Sequence, residues 1–254
     1  MGLPSFLVKR YITIPFVARH GVRARPYGAL VEGRGGLAEL YLLLHILVLV
    51  YWLGGDLGAF YASRLLVDPQ RSPEARATAA TILMNVDMAP RMGLIFAFPT
   101  GFALAIARGW LSVDPVWIAP AFALAALWAG AAWLVHLKAG PHLLAARFDT
   151  GVRWFALVGL IAAAVQSLSG LYDLPLFVAL KLLILALAIA CGLMIRRALK
   201  PFGPAFAALV SGQGDASSDA AIAASLAHAK IYVLIIWAAL IAAAALGVWT
   251  PASL

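Results

Sequence analysis

The chain has 254 residues, of which 64% are apolar and 12% are charged, and its mean hydropathy is +0.94. An ordinary soluble domain is about 45–50% apolar, so a soluble enzyme, a nucleic-acid-binding module and a disordered chain all fit poorly. The formal charge of +8 comes from basic residues in tails and loops, as expected beside lipid headgroups. The single cysteine, Cys191, excludes an internal disulfide and any zinc site that needs two thiolates. The composition therefore predicts an integral membrane protein.

The first 36 residues are set apart by their charge. Basic residues, among them Lys9, Arg10 and Arg19, interrupt the short apolar runs, whereas a secretory signal needs about 7–15 uninterrupted apolar residues. Mixed bulky apolar and basic residues are typical of a segment that lies among headgroups or docks on a partner subunit. An unstructured basic tail is the other interpretation. We treat residues 1–36 as a basic, interfacial N-terminal segment and residues 37–254 as a transmembrane domain.

Six stretches contain the roughly 20 apolar residues that a helix needs to cross a bilayer core about 30 Å thick. They are residues 37–62, 89–109, 116–137, 152–172, 176–195 and 227–249. Pro, Gly and Asp punctuate the connections between them. The sequence therefore predicts an all-α, polytopic membrane helix bundle of about six transmembrane helices, with the lipid bilayer as its immediate partner and both termini on the same side.

Basic residues are concentrated in the first, third and fifth connections. These residues are Arg64, Arg71, Arg76, Lys138, Arg147, Arg153, Arg196, Arg197 and Lys200. The second connection has only Arg108 and the fourth has none. The positive-inside rule places the three odd connections in the cytoplasm, although the basic N-terminal segment argues for the opposite orientation.

Polar side chains from three predicted helices fall at one depth in the membrane. His45 lies about two turns into the first helix, and Lys181 lies at a similar depth in the fifth, which runs in the same direction. Gln166 lies near the end of the fourth helix, which runs the opposite way and returns it to this level. Polar groups inside a membrane are costly, so each is a functional candidate. In the alternative interpretations His45 only bonds a backbone carbonyl, and Lys181 reaches the interface along its own stem.

A second polar layer lies towards the odd connections. Asp56 is near the end of the first helix, and Asp87 and Arg91 open the second. The (i, i+4) spacing puts Asp87 and Arg91 on one helical face, so we expect an Asp87–Arg91 or an Asp56–Arg91 ion pair, with a structural rather than catalytic role favoured. His136 and His228 are predicted to be interfacial.

The first helix contributes to both layers from one face. Spacings of four, seven and four residues match 3.6 residues per turn. The residues on this face are Tyr41, His45, Trp52 and Asp56. Gly54 and Gly58 form a small-xxx-small pair that predicts the close approach of another helix. A potential ligand, an aromatic side chain and a charge on one face are typical of a flat cofactor held between helices.

Four segments resemble one family. Residues 44–55, which read LHILVLVYWLGG, resemble the first helix of the small haem-containing bacterial protoporphyrinogen oxidases, in which a His is followed seven residues later by Trp and then Gly. The membrane domain of the copper-resistance D proteins has a similar helix. Residues 180–185 are similar to the family's lysine-bearing helix, 231–237 to its last helix and 87–91 to the start of its second. The chain departs from this family in two ways. The family usually has four spans, whereas six are predicted here. The family also has an Asn-Glu-Pro signature before its last helix, and residues 214–217 at that place read Gly-Asp-Ala-Ser.

The resemblance implies a b-type haem and carries the family's histidine and lysine roles onto His45 and Lys181. Haem iron commonly takes a proximal histidine, so His45 is the expected metal ligand. Lys181 is expected to bind iron or a haem propionate, and Arg91 to balance negative charge. The full set of expected cofactor-binding residues is His45, Trp52, Arg91, Gln166 and Lys181. The expected catalytic residues are Asp56, Arg91 and Lys181.

The departures from the family favour a haem scaffold in another redox use over protoporphyrinogen oxidation itself. We expect a haem b-binding protein of the bacterial inner membrane that moves electrons between a partner or substrate and the quinone pool. The expected partners are a quinone or porphyrin-like hydrophobic substrate, a soluble dehydrogenase or a second copy of the chain, and no nucleic acid.

Two other functions stay open. The first is a copper-handling permease, since soft metals favour Met, Cys or His along a path and Met84, Met88 and Met92 recur every four residues. The second is a structural membrane subunit without a cofactor, in which the polar layers are only hydrogen-bond networks between helices.

Overall fold

A computed structural model describes the backbone of residues 27–137 and 143–249, and the side chains of residues 36–137 and 144–249. Most of the predicted N-terminal segment therefore lies outside the described residues. Within these ranges the regular structure consists of eight α-helices and a short 3-10 turn at Pro115–Trp117. The helices are α1 (Tyr27–Leu66), α2 (Pro73–Val86), α3 (Met88–Ala107), α4 (Ile118–Leu137), α5 (Leu143–Leu168), α6 (Leu176–Ala198), α7 (Phe202–Val210) and α8 (Ala216–Val248).

Six helical segments of the described chain are long and apolar enough to cross a membrane, as predicted. They are Gly36–Leu66, Pro73–Ala107, Pro115–Leu137, Leu144–Leu168, Leu176–Ala198 and Ala216–Val248. The protein is a multi-pass, all-α membrane bundle, and the six spans of the described chain bring Val248 back to the side of the membrane on which Gly36 lies. We call the side that carries the first, third and fifth connections the odd-loop face.

Three helical segments begin earlier than predicted. The second span includes α2, the fourth begins at Leu144 and the sixth begins at Ala216. Each extension contains charged residues that were assigned to connections from the sequence. The short helix α7 also lies within the predicted fifth connection. Three of these charged side chains, those of Arg76, Asp149 and Asp219, bind partners on other helices.

Local sequence explains the boundaries of α2 and α3. The Ser72 side chain accepts a hydrogen bond from the backbone N–H of Ala75 at 3.3 Å, and Pro73 occupies the first position of α2. Asp87 ends α2 and begins α3, with its backbone N–H donating to Leu83 O at 2.9 Å. Two helices joined by one residue thus form the second span.

Glycines allow α1 to approach α2 and α3 closely. A Cβ atom at Gly55 would lie 2.6 Å from Pro90 Cδ, and one at Gly58 would lie 3.0 Å from Val86 Cγ1. The predicted Gly54–Gly58 pair is wrong in its first member, because Gly54 has no atom within 4 Å of a Cβ position whereas Gly55 is on the contacting side. On α3, a Cβ atom at Gly93 would lie 2.7 Å from Trp52 Cβ.

The bundle core and the bundle surface are both apolar. Trp52, Leu94, Leu160, Ile189 and Leu240 belong to one buried cluster that joins α1, α3, α5, α6 and α8. On the outside, large side chains are more than half exposed. They include Leu43, Val50, Leu127, Phe155 and Val158. Exposed apolar side chains on every flank are expected where lipid, rather than water, surrounds the helices.

Candidate functional site

His45 binds a threonine of the neighbouring helix. Its Nδ1 lies 2.9 Å from Thr100 Oγ1 on α3, and that hydroxyl lies 2.7 Å from Phe96 O and 3.2 Å from Ala97 O. A hydroxyl has one hydrogen to donate, and the short contact to Phe96 O directs it to the backbone. The Thr100 oxygen is then the acceptor for the His45 Nδ1–H. This arrangement favours the tautomer that leaves the Nε2 lone pair free.

The local sequence of α3 makes room for this histidine. A Cβ atom at Gly101 would lie 3.1 Å from His45 Cε1, so the ring packs directly over a glycine. Pro99, which precedes the threonine, is buried and has no backbone N–H to donate. Thr100 was missed from the sequence. Its signal was a hydroxyl between proline and glycine in an otherwise apolar span.

Lys181 also lies over a glycine. A Cβ atom at Gly247 of α8 would lie 2.8 Å from Lys181 Nζ, and this nitrogen lies 5.9 Å from the centre of the Phe177 ring. Lys181 is half-buried and lies close enough to His45 for its positive charge to act on the imidazole. The structure therefore places these two predicted residues in one region, between α1, α3, α6 and α8.

Gln166 does not join this region. It is exposed in the last turn of α5, where its backbone O accepts hydrogen bonds from Leu171 N and Ser169 Oγ, each at 3.0 Å. No described residue forms a hydrogen bond with its amide side chain. The shared depth that motivated its prediction does not specify which way the side chain faces around the helix.

The second polar layer divides into a paired and an unpaired part. Arg91 binds Asp87, with Nη2 at 2.6 Å and Nε at 2.7 Å from Oδ2. This confirms one of the two expected ion pairs, and the Asp56–Arg91 alternative does not form. Asp56 is 9% exposed, and its Oδ2 has no hydrogen-bond partner among the described residues. The indoles of Trp52 and Trp237 lie beside the Asp56 carboxyl, yet Trp237 Nε1 is also unpartnered.

An apolar groove of about 600 Å³ lies between α1, α3 and α4. Tyr51, Met88, Met92 and Trp133 line it, and Thr100 lies at its edge. Thr100 therefore links the groove to His45. The three methionines considered from the sequence are split, because Met84 is 54% exposed on α2 and does not line the groove.

A buried charge network, missed from the sequence, joins α4, α5 and α6. Asp149 Oδ1 accepts a hydrogen bond from Trp128 Nε1 at 2.7 Å and from Arg153 Nε at 3.2 Å, and Asp149 Oδ2 accepts one from Arg196 Nη2 at 2.5 Å. The side chains of Asp149 and Arg153 are 5% and 4% exposed, and that of Arg196 is 39% exposed. The Arg153 guanidinium also lies over the Trp128 ring, 5.5 Å from its centre. The (i, i+4) spacing of Asp149 and Arg153 was the available signal.

A second missed ion pair ties the ends of three helices together. Arg76, which is 2% exposed on α2, donates from Nε to Leu66 O of α1 at 2.8 Å and from Nη1 to Asp219 of α8 at 2.7 Å. Of the two outer histidines, His136 contacts Asn85 Oδ1 at 3.2 Å and His228 is exposed.

The fold and these sites define a multi-pass α-helical membrane protein with polar groups held inside the bundle. No family model, curated protein or solved structure matches the chain, so the family resemblance stays a prediction. Within the described ranges, no group of three or more His, Cys, Asp or Glu side chains is arranged to hold a metal ion. A haem iron with one histidine ligand does not require such a group.

Proposed function

We propose that the chain is a haem b-binding integral membrane redox protein that transfers electrons between a partner or substrate and the quinone pool. The His45–Thr100 hydrogen bond carries the proposal. Histidines that bind metals almost always donate their other ring N–H to a fixed acceptor. Thr100 supplies that acceptor inside the membrane, and Nε2 is left as a ligand.

The described donor set fits a haem. His45 offers a neutral imidazole nitrogen for iron, and Lys181 offers a cation for a propionate or a second nitrogen for iron. A b-type haem supplies one-electron chemistry, because its iron alternates between the ferric and ferrous states. The chain fixes the imidazole tautomer through Thr100 and holds the charge of Lys181 at the same level. Apolar side chains such as Leu94 and Leu240 exclude water from the neighbouring core.

The groove between α1, α3 and α4 supports a substrate that dissolves in the bilayer. Its volume of about 600 Å³ falls in the range of about 300–1,000 Å³ that is usual for small-molecule sites. A quinone or a porphyrin-like molecule would enter from the lipid and meet Thr100, the residue that holds His45. Arg91 is less suited to bind such a substrate than expected, because Asp87 already balances its charge.

The test is a reduced-minus-oxidised absorbance spectrum of the protein purified in mild detergent, with haem and metals quantified on the same sample. We expect a b-type spectrum, which His45→Ala abolishes and His228→Ala, at an exposed position, leaves unchanged. Full haem content in His45→Ala would refute the ligand assignment. An absence of haem in the wild type despite adequate supply would refute the function.

Two further variants examine the surroundings of the ligand. Gly101→Ala should lower haem content, since the new methyl group would displace His45, whereas Gly130→Ala, with open space around its Cβ position, should not. Lys181→Met should shift the spectrum or the midpoint potential, whereas Lys200→Met, at an exposed position, should not. The same measurement separates the two alternative functions. Bound copper in place of haem would favour the copper-handling permease, since Met88 and Met92 line the groove between α1, α3 and α4. A protein that binds neither haem nor copper would favour the structural subunit.

We further propose that the odd-loop face is cytoplasmic in a bacterial inner membrane. Arg64, Arg71, Arg197 and Lys200 are exposed basic residues near that face, in keeping with the positive-inside rule. Cys191 is the only cysteine, so a Cys191→Ala, Ser211→Cys chain carries one thiol in the fifth connection. A membrane-impermeant thiol reagent should label it only after the cells are opened. Labelling in intact cells would show that the odd-loop face lies outside the cytoplasm.

The N-terminal segment 1–36 is proposed as the docking site for a soluble dehydrogenase, and a second copy of the chain is the other candidate partner. A chain that lacks residues 1–26 should lose co-purification of a dehydrogenase but keep its own haem and its oligomeric state.

A further inference from the structure

Two polar atoms inside the bundle, one on α1 and one on α8, are buried without a hydrogen-bond partner among the described residues. Asp56 Oδ2 is an acceptor and Trp237 Nε1 is a donor, and both are buried without a hydrogen bond in the described part of the chain. Asp56 is 9% exposed. A buried polar group without a partner is costly, and it calls for a specific explanation.

The charged groups around Asp56 do not neutralise it. Asp87, which joins α2 to α3, is close enough to repel a negative charge on Asp56, and Arg91 of α3 is bound to Asp87. Arg64 of α1 and Lys230 of α8 lie over the Phe60 ring instead, 5.5 and 5.1 Å from its centre. Among the described residues, no cation lies within ion-pair distance of the Asp56 carboxyl.

A carboxylate in this position would be a buried negative charge with a like charge nearby and no counter-ion. The protonated, neutral form of the carboxyl group costs less free energy inside a membrane than the ionised form. We propose that Asp56 is a proton-binding site within the membrane, which holds a proton in the resting protein and exchanges it with water at the odd-loop face. The exchange moves one proton between the carboxyl group and water, and needs neither a cofactor nor the haem proposed above.

The route to water passes Phe60. Its ring contacts Trp237 at a centroid distance of 5.3 Å, and its two cations, Arg64 and Lys230, are both exposed. Phe60 therefore separates Asp56 from the hydrated side chains of the odd-loop face. The ring is the barrier that a proton must pass, aided by fluctuations of the Phe60 and Trp237 side chains.

Infrared spectroscopy of the full chain in lipid nanodiscs tests the proposal directly. We expect the carbonyl stretch of a protonated carboxylic acid at pH 7, and a shift of this band to lower wavenumber in D₂O as the acid proton is replaced. Asp56→Asn should remove the band. Asp173→Asn, at an exposed position in the connection before α6, is the control and should keep it. Phe60→Ala should speed the shift in D₂O.

Several infrared results would refute a protonated Asp56. A wild-type spectrum without this band at pH 7, or an unchanged band in Asp56→Asn, would overturn the proposal. A band that never shifts in D₂O would overturn proton exchange. Should Asp56→Asn fail to fold, Asp56→Glu must retain a protonated band, and Trp237→Phe must alter its frequency by removing the neighbouring indole. Failure of either expectation would also refute the proposal, and none of these readouts depends on haem.

Discussion

Asp149 and Asp56 are both buried aspartates in membrane-spanning helices near the odd-loop face, but they differ in their hydrogen-bond and ion-pair partners. Asp149 accepts hydrogen bonds from Trp128, Arg153 and Arg196. Asp56 has two indoles beside it, one oxygen without a partner and no cation. The first carboxylate links α4, α5 and α6, whereas the second links nothing by an ion pair. Burial alone therefore does not define the role of an acidic residue in this bundle.

The largest difference should appear when each carboxyl is removed. Asp149→Ala leaves Arg153 buried without its counter-ion, so we expect it to lower the free energy of unfolding by about 3–5 kcal/mol. SDS titration of the protein in mixed micelles measures this quantity. Asp173→Ala, at an exposed position in the connection before α6, should change it by about 0.5 kcal/mol or less. A loss below about 1 kcal/mol for Asp149→Ala would show that water or lipid already balances Arg153.

The two arginines of the network should contribute unequally. Arg153→Met removes a charged hydrogen bond to Asp149 from a side chain that is 4% exposed, and we expect a loss of about 2 kcal/mol. Arg196→Met acts at a side chain that is 39% exposed, so solvent screening limits the loss to about 1 kcal/mol. Arg197→Met, at the exposed neighbouring position, is the control. Equal effects of the two substitutions would show that the exposed arginine is as well desolvated as the buried one.

Asp56→Asn should have a small effect on stability. If Asp56 is already a neutral acid, the amide replaces it with a side chain of similar size and no change in charge, and we expect a change within about 1 kcal/mol in either direction. The same substitution at Asp149 should be several-fold more damaging, and SDS titration of the two variants side by side measures the contrast. Equal losses at both positions would contradict the neutral state of Asp56.

The smallest effect is expected at an exposed aspartate, Asp215, where a change of pH should alter the stability of one helical turn. Asp215 precedes α8, and hydrogen bonds from the Ser217 hydroxyl and the Ser218 backbone N–H lower its pKa to about 2. The unfolded value is about 3.9. Because the pKa is depressed, the stabilisation of the first turn of α8 is present above about pH 4 and is lost as the pH falls towards 2. Hydrogen-exchange protection of residues 216–219 should follow this window, and Asp215→Ala should remove the dependence.

The spans were predictable because apolar composition over 20 residues is a local property. The helix extensions were not, because Arg76, Asp149 and Asp219 within them are paired with residues of distant helices. Arg76 and Asp219 are 143 residues apart in the sequence, and Arg196 and Asp149 are 47 apart. A window that covers one helix cannot include both members of such a pair, so these residues resembled loop residues.

For the candidate site, the sequence predicted the depth of each residue in the membrane. Helical spacing placed His45, Trp52 and Asp56 on one face of α1, and depth placed Lys181 near His45. The rotation of each helix about its axis is not encoded in depth, so Gln166 was included although it is exposed, and Thr100 was missed. Similarly, the (i, i+4) rule identified the Asp87–Arg91 pair but could not show that it leaves Asp56 without a cation.

Arg76 has a consequence for the way the chain is made. Its guanidinium is 2% exposed and is satisfied by the end of α1 and by Asp219 at the start of α8. A nascent chain is synthesised from its N-terminus at about 5–20 residues per second, so α2 leaves the ribosome well before its acidic partner exists. Until α8 arrives, the arginine must stay hydrated at the membrane surface. Insertion of α8 is therefore the step that completes the pairing of Arg76, and a chain truncated before α8 would expose an unpaired arginine.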